Sequence, residues 1–315
     1  MLTLSAEDRP ILIAGGFVLV ILAIGTAYTL AVQGTASFLS PAYLLQQLQV
    51  GSFLGIVAAG MMLVILMGHI DLSVPWTLAA GAMLGTAIGG PWAIPVGLGV
   101  GLLVGLVNGL GVAYLRVPSM IFTLGINAVM RGFMVMLTGG FSPRSMATPT
   151  MSWLATGNVL GIPMPLLVWA ALSVTIVLLL QRTPLGRYIY AIGNRERAAY
   201  LSGINTRLVL VVAFVICGMC SALAGVLLAG YSSKAYQGMG DAYLLPAIAA
   251  VVIGGTNILG GRGRYLGTVV GTILIVLLTS VLSVMQMPEA GRQVIYGAVI
   301  ITMLLVYGRG QKVTA

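Results

Sequence analysis

Ten apolar runs, most of them about 20 residues long, follow one another along the 315 residues of this chain. That succession limits what the chain can fold into. An α-helix rises about 1.5 Å per residue, so about 20 apolar residues cross the hydrocarbon of a bilayer. Backbone in hydrocarbon must satisfy its own hydrogen bonds, which long continuous apolar runs do as helices. The runs lie at roughly 11–32, 44–67, 74–90, 93–114, 119–139, 164–181, 208–230, 243–256, 266–285 and 292–308. The third and eighth are short for a crossing. The expected fold is all-α: one transmembrane domain over 1–315 with about ten transmembrane helices. Only 7% of the residues are charged, too few to cover a soluble surface of this length.

The basic residues set the expected orientation. With the N-terminus inside, eleven of the fifteen Lys and Arg fall in cytoplasmic segments: Arg9, Arg116, Arg182, Arg187, Arg195, Arg197, Arg207, Arg262, Arg264, Arg309 and Lys312. Arg131, Arg144, Lys234 and Arg292 fall in or beyond the outer half. Short loops rich in Lys and Arg stay in the cytoplasm, so both termini are expected there. The net charge of +9 is scattered singly between apolar runs. It forms no basic stripe for nucleic acid and suits contact with the anionic headgroups of a lipid bilayer. The N-terminal run is too long for a signal-peptide core and reads as an uncleaved first span.

One stretch breaks the apolar pattern. Segment 182–207 contains TPLGRYIYAIGNRERAAYLSGIN, with Arg187, Arg195, Glu196 and Arg197. It must lie outside the bilayer. Asn194 suits an N-cap and Gly203 a C′ stop, leaving a two-turn helix, RERAAYLS, at the cytoplasmic surface. Such a helix has the shape of a docking element for a soluble partner, or it satisfies orientation alone. The outer loop 140–163 carries Pro143, Pro149, Trp153 and Pro163 and has room for a short surface helix.

Two stretches resemble each other: GHIDLSVPWTLAAGAMLGTAIGG near 71 and GMGDAYLLPAIAAVVIGGTNILGG near 241. Each has an Asp, a Pro four or five residues on, a run of small residues and a Gly pair. They would lie near opposite faces, as an inverted repeat of five spans plus five gives. Glycines at i, i+4 and i+8 (Gly101, Gly105, Gly109; Gly81, Gly85, Gly89) and the pair Gly267 and Gly271 mark faces where helices pack closely.

Few residues can carry chemistry. A buried Asp in a membrane costs about 2.5–3.5 kcal/mol, so Asp71 and Asp241 need partners, water or an interface. His69, Asp71 and Ser73 line a solute path or fix a broken helix; otherwise Asp71 caps the third span. Asn108 and Asn127 are interhelical bonds or solute contacts. Arg131 faces a polar cavity or snorkels outward. The loop GGTNILGGRGR, with Gly254, Gly255, Thr256, Gly260 and Gly261, is glycine-rich, but no G-x-x-x-x-G-K-[ST] accompanies it. No nucleotide, cofactor or metal site is expected on this chain, nor an enzymatic activity. Cys217 and Cys220 lie inside an apolar run and read as small membrane-helix residues rather than a redox pair.

Three motifs carry a family resemblance over about 44–308. GHIDLSV (68–74) is similar to G-G-I-D-L-S-V-G; TPLGRYIYAIGNRERAAYLSGI (183–204) is similar to a loop ending A-A-x-x-S-G-I; VVIGGTNILGGRG (251–263) is similar to V-V-x-G-G-T-x-x-x-G-G-x-G. The chain thus resembles the permease subunits of bacterial ABC importers for monosaccharides, the ribose, xylose, arabinose and galactose group that includes autoinducer-2 and rhamnose permeases. Pro75 and Trp76 depart from the usual Gly-Ser, His69 from a common Gly, and Arg195 and Arg197 from frequent Asn and Glu. The resemblance implies a multi-pass protein of the bacterial inner membrane that moves a monosaccharide into the cytoplasm. It implies a second permease chain, identical or a paralogue, and a periplasmic sugar-binding protein. It also implies an ATP-binding subunit that holds the ATP and Mg and docks on Gly193, Asn194, Arg195, Glu196, Arg197, Ala198, Ala199, Ser202 and Gly203. The alternative is an ion-coupled secondary transporter using Asp71 and Asp241. A branched-chain amino-acid permease is a neighbouring class, against which the I-D-L-S motif speaks.

Overall fold

The computed structural model describes residues 9–309. Each of the ten apolar runs is a helix, with bounds within a few residues of those expected. In chain order these are α1 (Arg9–Gln33), α2 (Pro41–Leu66), α3 (Val74–Ile88), α4 (Ala93–Tyr114), α5 (Ser119–Thr138), α7 (Met164–Arg182), α9 (Thr206–Tyr231), α10 (Asp241–Ile253), α11 (Tyr265–Val284) and α12 (Glu289–Arg309). Between them lie α6 (Pro149–Thr156), followed by a two-stranded hairpin, and α8 (Pro184–Leu201). Among the described residues seven helices are long and apolar enough to cross a membrane. The short α3 and α10 have 15 and 13 residues.

Sequence chemistry sets the helix ends. Ser40, Thr148, Thr183 and Asn205 each accept a hydrogen bond from the third residue beyond them, and Pro follows directly after the first three. A side-chain acceptor and a proline lacking an N–H both suit a helix start, where the first N–H groups have no partner. Gly139 closes α5 in the left-handed conformation. The outer loop does carry its short helix, α6, and Met151 and Ala155 bury it against α9 at Gly230.

The core forms around α2 and α9. Every residue of α2 from Gly51 to Leu66 is buried. The glycine face expected on α4 is real: a Cβ on Gly101 would stand 2.3 Å from the Gly218 carbonyl oxygen, and one on Gly105 2.5 Å from that of Phe214. Backbone meets backbone here, which only glycine permits. Gly267 and Gly271 pack in the same way on α10, at Gly254 and Ala250. Gly89 corrects the expected stripe on α3. It ends the helix at φ +66, while Gly81 and Gly85 make the contacts.

The connections gather at two ends of the bundle. At one end lie 67–73, 115–118, the α8 segment and 254–264. At the other lie 139–163 and 232–240, tied by Ala147 N–H to Ser233 O at 2.8 Å. Among the described residues, Arg116, Arg182, Arg187, Arg195, Arg197, Arg207, Arg262 and Arg264 gather at the first end, against Arg144, Lys234 and Arg292 at the second. Lys312 lies outside the described residues.

Candidate functional site

The three motifs, far apart in sequence, meet at the arginine-rich end. The C-terminus of α2 leaves carbonyls without helical donors. Gly261 N–H, from the glycine-rich loop, donates to Leu66 O at 2.8 Å. The backbone of Gly193 presses on the same spot: a Cβ there would stand 1.9 Å from Leu66 O and 2.5 Å from Gly261 N. Asn194 covers Gly261, and Tyr190 Oη donates to Gly263 O at 2.8 Å. The loop holds its own shape through Asn257 N–H to Arg262 O at 2.8 Å and four left-handed glycines, Gly255, Gly260, Gly261 and Gly263. Gly254 packs beneath it on Gly267, and Thr256 lies buried under Gly263.

α8 corrects the expected docking helix. It begins at Pro184, breaks at Arg195 (φ −160°, ψ 98°) and resumes to Leu201. Asn194 is therefore not the N-cap; its Nδ2 donates back to Tyr190 O at 3.0 Å. The reason is local. The amphipathic 185–192 stretch packs Ile189 and Ile192 into the core and draws the first half into helix. Gly203 does stop the second half: at φ +84 it donates to Tyr200 O, and Ile204 N–H donates to Ala199 O. Beyond the break, Arg195, Arg197 and Ala198 are exposed and Ala199 is buried, with Ser202 and Gly203 exposed at the stop. Tyr200 and Leu201 are 65% and 78% exposed, an apolar pair in a polar segment that the sequence reading passed over. Glu196 reaches toward the 115–118 connection and the start of α9, 2.9 Å from Arg116 Nη1 and 3.4 Å from Thr206 Oγ1.

Beside this junction the α2–α3 break is held by a buried polar network. Asp71 Oδ1 accepts from Ser73 N–H at 2.9 Å, Ser73 Oγ at 2.6 Å and Asn108 Nδ2 at 3.3 Å. Asn108 also donates to Ser73 Oγ at 2.7 Å. Asp71 therefore does not cap α3. That service comes from α5, where Asn127 Oδ1 accepts from Trp76 N–H at 3.3 Å. One turn and two turns before it, Thr123 and Ser119 accept from Leu72 N–H at 2.9 Å and Ile70 N–H at 3.4 Å. Ser119, Thr123 and Asn127 are spaced i, i+4, i+8 and so share one helix face. The first two were missed from sequence, although that spacing was the available signal.

Asp71 is buried inside the bundle. It lies by Cys217, eleven residues into α9, about 16 Å along that helix. Asp241 is exposed at the start of α10. The His69 ring lies 6.3 Å from that of Phe214 and makes no hydrogen bond to the network. Arg131 is exposed on α5 beyond Asn127. Of the path residues expected, the structure joins Asp71, Ser73 and Asn108 in one network, sets Asn127 on the first turn of α3, and leaves His69 and Arg131 outside both.

The family model described as the branched-chain amino acid transport system permease component matches residues 43–304. The chain belongs to this permease family. The permease is 34% identical over 276 residues to the ribose import permease protein of Escherichia coli K12 and 38% identical over 275 residues to that of Bacillus subtilis 168, with 85% of each chain covered in both cases. It is 33% identical over 257 residues to the galactofuranose transporter permease protein of Escherichia coli K12, covering 80% of this chain and 75% of the relative. No solved structure matches the chain. The permease is a multi-pass membrane protein, and the motifs meeting at the junction are those that carry the resemblance.

Proposed function

We propose that this permease moves a monosaccharide across the bacterial inner membrane, driven by an ATP-binding subunit that holds ATP and Mg and docks on the second half of α8. The relatives named for ribose and galactofuranose supply the solute class. One observation carries the mechanism: Gly193, Leu66 and Gly261 touch through backbone alone. Side chains can absorb a displacement by changing rotamer; packed backbone cannot. A displacement of α8 that reaches Gly193 is therefore passed to the end of α2 and the 254–264 loop without a compliant link. From there it reaches the α2–α3 break and its Asp71 network. Two such permease chains and a periplasmic sugar-binding protein complete the importer, with the arginine-rich end cytoplasmic.

The helix neighbours support the inverted repeat. Short α3 packs on α9 and α4, while short α10 packs on α2 and α11. Exchanging α2–α4 with α9–α11 maps one set onto the other. Ion coupling finds no matching pair of sites: Asp71 is enclosed by donors, while Asp241 is exposed.

The test is uptake in liposomes holding this chain, its ATP-binding subunit and its binding protein, with D-ribose and D-galactose as probes. ATP hydrolysis stimulated by one sugar, and dependent on this chain, is expected. Uptake that persists without ATP and collapses with an ionophore refutes the reading.

A further inference from the structure

The end of the bundle opposite the junction holds a cavity of about 430 Å³ between α2, α10, α11 and α12. Small-molecule sites fall at about 300–1,000 Å³. Tyr43, Tyr243 and Tyr296 supply aromatic walls. Two of these rings are fixed through their hydroxyls: Tyr43 bonds Ser280, and Tyr296 bonds Thr279 at 2.5 Å. Three other polar groups on the wall, the Gln47 amide and the Tyr243 and Ser283 hydroxyls, have no hydrogen-bond partner among the described residues. A fourth comes from the backbone. Pro246 has no N–H, so the Ala242 carbonyl four residues earlier, also on the wall, lacks its helical donor. At the mouth Arg292 pairs with Glu289 at 3.5 Å.

We propose that this cavity is a binding subsite for a neutral, hydroxyl-rich ring of monosaccharide size. The chemistry decides among ligand classes. An anionic headgroup needs an uncompensated cation, and the arginine at the mouth is paired with Glu289. An acyl chain would strip water from four polar groups and return nothing, which costs free energy at each. A sugar ring offers hydroxyls that both donate and accept, matching Gln47, Tyr243, Ser283 and the Ala242 carbonyl. Its C–H faces suit the tyrosine rings. The subsite rests on the sugar reading above, and it gives this chain contacts of its own to the solute.

The experiment measures uptake KM in the full reconstituted importer for D-ribose and D-galactose, with saturation-transfer NMR of the same sugars on the complex in nanodiscs. Tyr243→Phe removes one oxygen and Gln47→Ala one amide; Ser283→Trp fills the mouth. The expected result is a KM raised about fivefold or more in the first two and a lost NMR contact in the third. Wild-type uptake with KM within twofold in Tyr243→Phe and Gln47→Ala, or sugar contacts that survive Ser283→Trp, overturns the subsite alone. A wild-type complex that takes up neither sugar overturns both the subsite and the sugar reading.

Discussion

Gly193→Ala is the sharpest test of the junction. The added Cβ would stand 1.9 Å from Leu66 O and 2.5 Å from Gly261 N, and the first is a backbone atom at the end of a buried helix. Real Cβ contacts are not found below 3.0 Å, so the two backbones must part by about 1 Å. The Gly261 N–H to Leu66 O bond, 2.8 Å long, lies across the gap that opens. Leaving a buried backbone group unpaired costs about 1–3 kcal/mol, and overpacking costs about 1–3 kcal/mol more. Partial relaxation brings the expected total to about 2–4 kcal/mol, enough to shift a two-state equilibrium by more than tenfold. The assay is paired: thermal unfolding of the purified chain, and sugar uptake against ATP hydrolysis in liposomes. Stability should fall, and uptake per ATP should fall at least tenfold while the ATP-binding subunit stays bound. Unchanged unfolding together with wild-type uptake would refute the reasoning, because it would mean that the backbone contact transmits and stabilises nothing.

Asn127→Leu leaves Trp76 N–H without its acceptor, and loss of a helix cap costs about 1 kcal/mol; thermal unfolding should show the drop, and Asn127→Asp should largely restore it. Asp71→Ala removes the acceptor for Ser73 and Asn108, and should be markedly less stable than Asp71→Asn, which keeps an oxygen there; unfolding of the two side by side is the check. Glu196→Gln breaks an ion pair whose side chains are 56% and 37% exposed, so stability should change by less than about 1 kcal/mol. Its uptake per ATP should nonetheless drop, and Arg116→Glu with Glu196→Arg should recover part of it. Tyr200→Asp with Leu201→Asp should leave insertion intact and prevent co-purification of the ATP-binding subunit; retention of that subunit would remove α8 as its docking element.

The helices were legible in the sequence because length and apolarity alone define a crossing, and Gly101, Gly105 and Gly109 announced a packing face by spacing. Gly203 was legible as a stop because only one backbone conformation suits it there. Three matters were not. The break at Arg195 depends on Ile189 and Ile192 being buried, a tertiary event that turns an amphipathic stretch into helix ahead of a plausible cap. The α3 cap comes from Asn127, fifty-one residues away, so no local pattern around Asp71 could reveal it. The Gly-rich loop reads locally as a flexible turn; that it closes the end of α2 is visible only once Leu66 and Gly261 are side by side.

The polar stripe on α5 has one more consequence. Most of α5 is exposed, including Ile121, Leu124, Val129 and Met136, and three side-chain acceptors tie it to the α2–α3 break. Where water reaches that seam, each released N–H finds a new partner and parting costs little, since exchanging one hydrogen bond for another is nearly neutral. Where hydrocarbon fills it, the same three N–H groups would be stranded, at several kcal/mol each. The fastening of α5 is therefore solvent-gated: firm against lipid, loose against water. Its strength at any moment reports whether the seam beside it is wet.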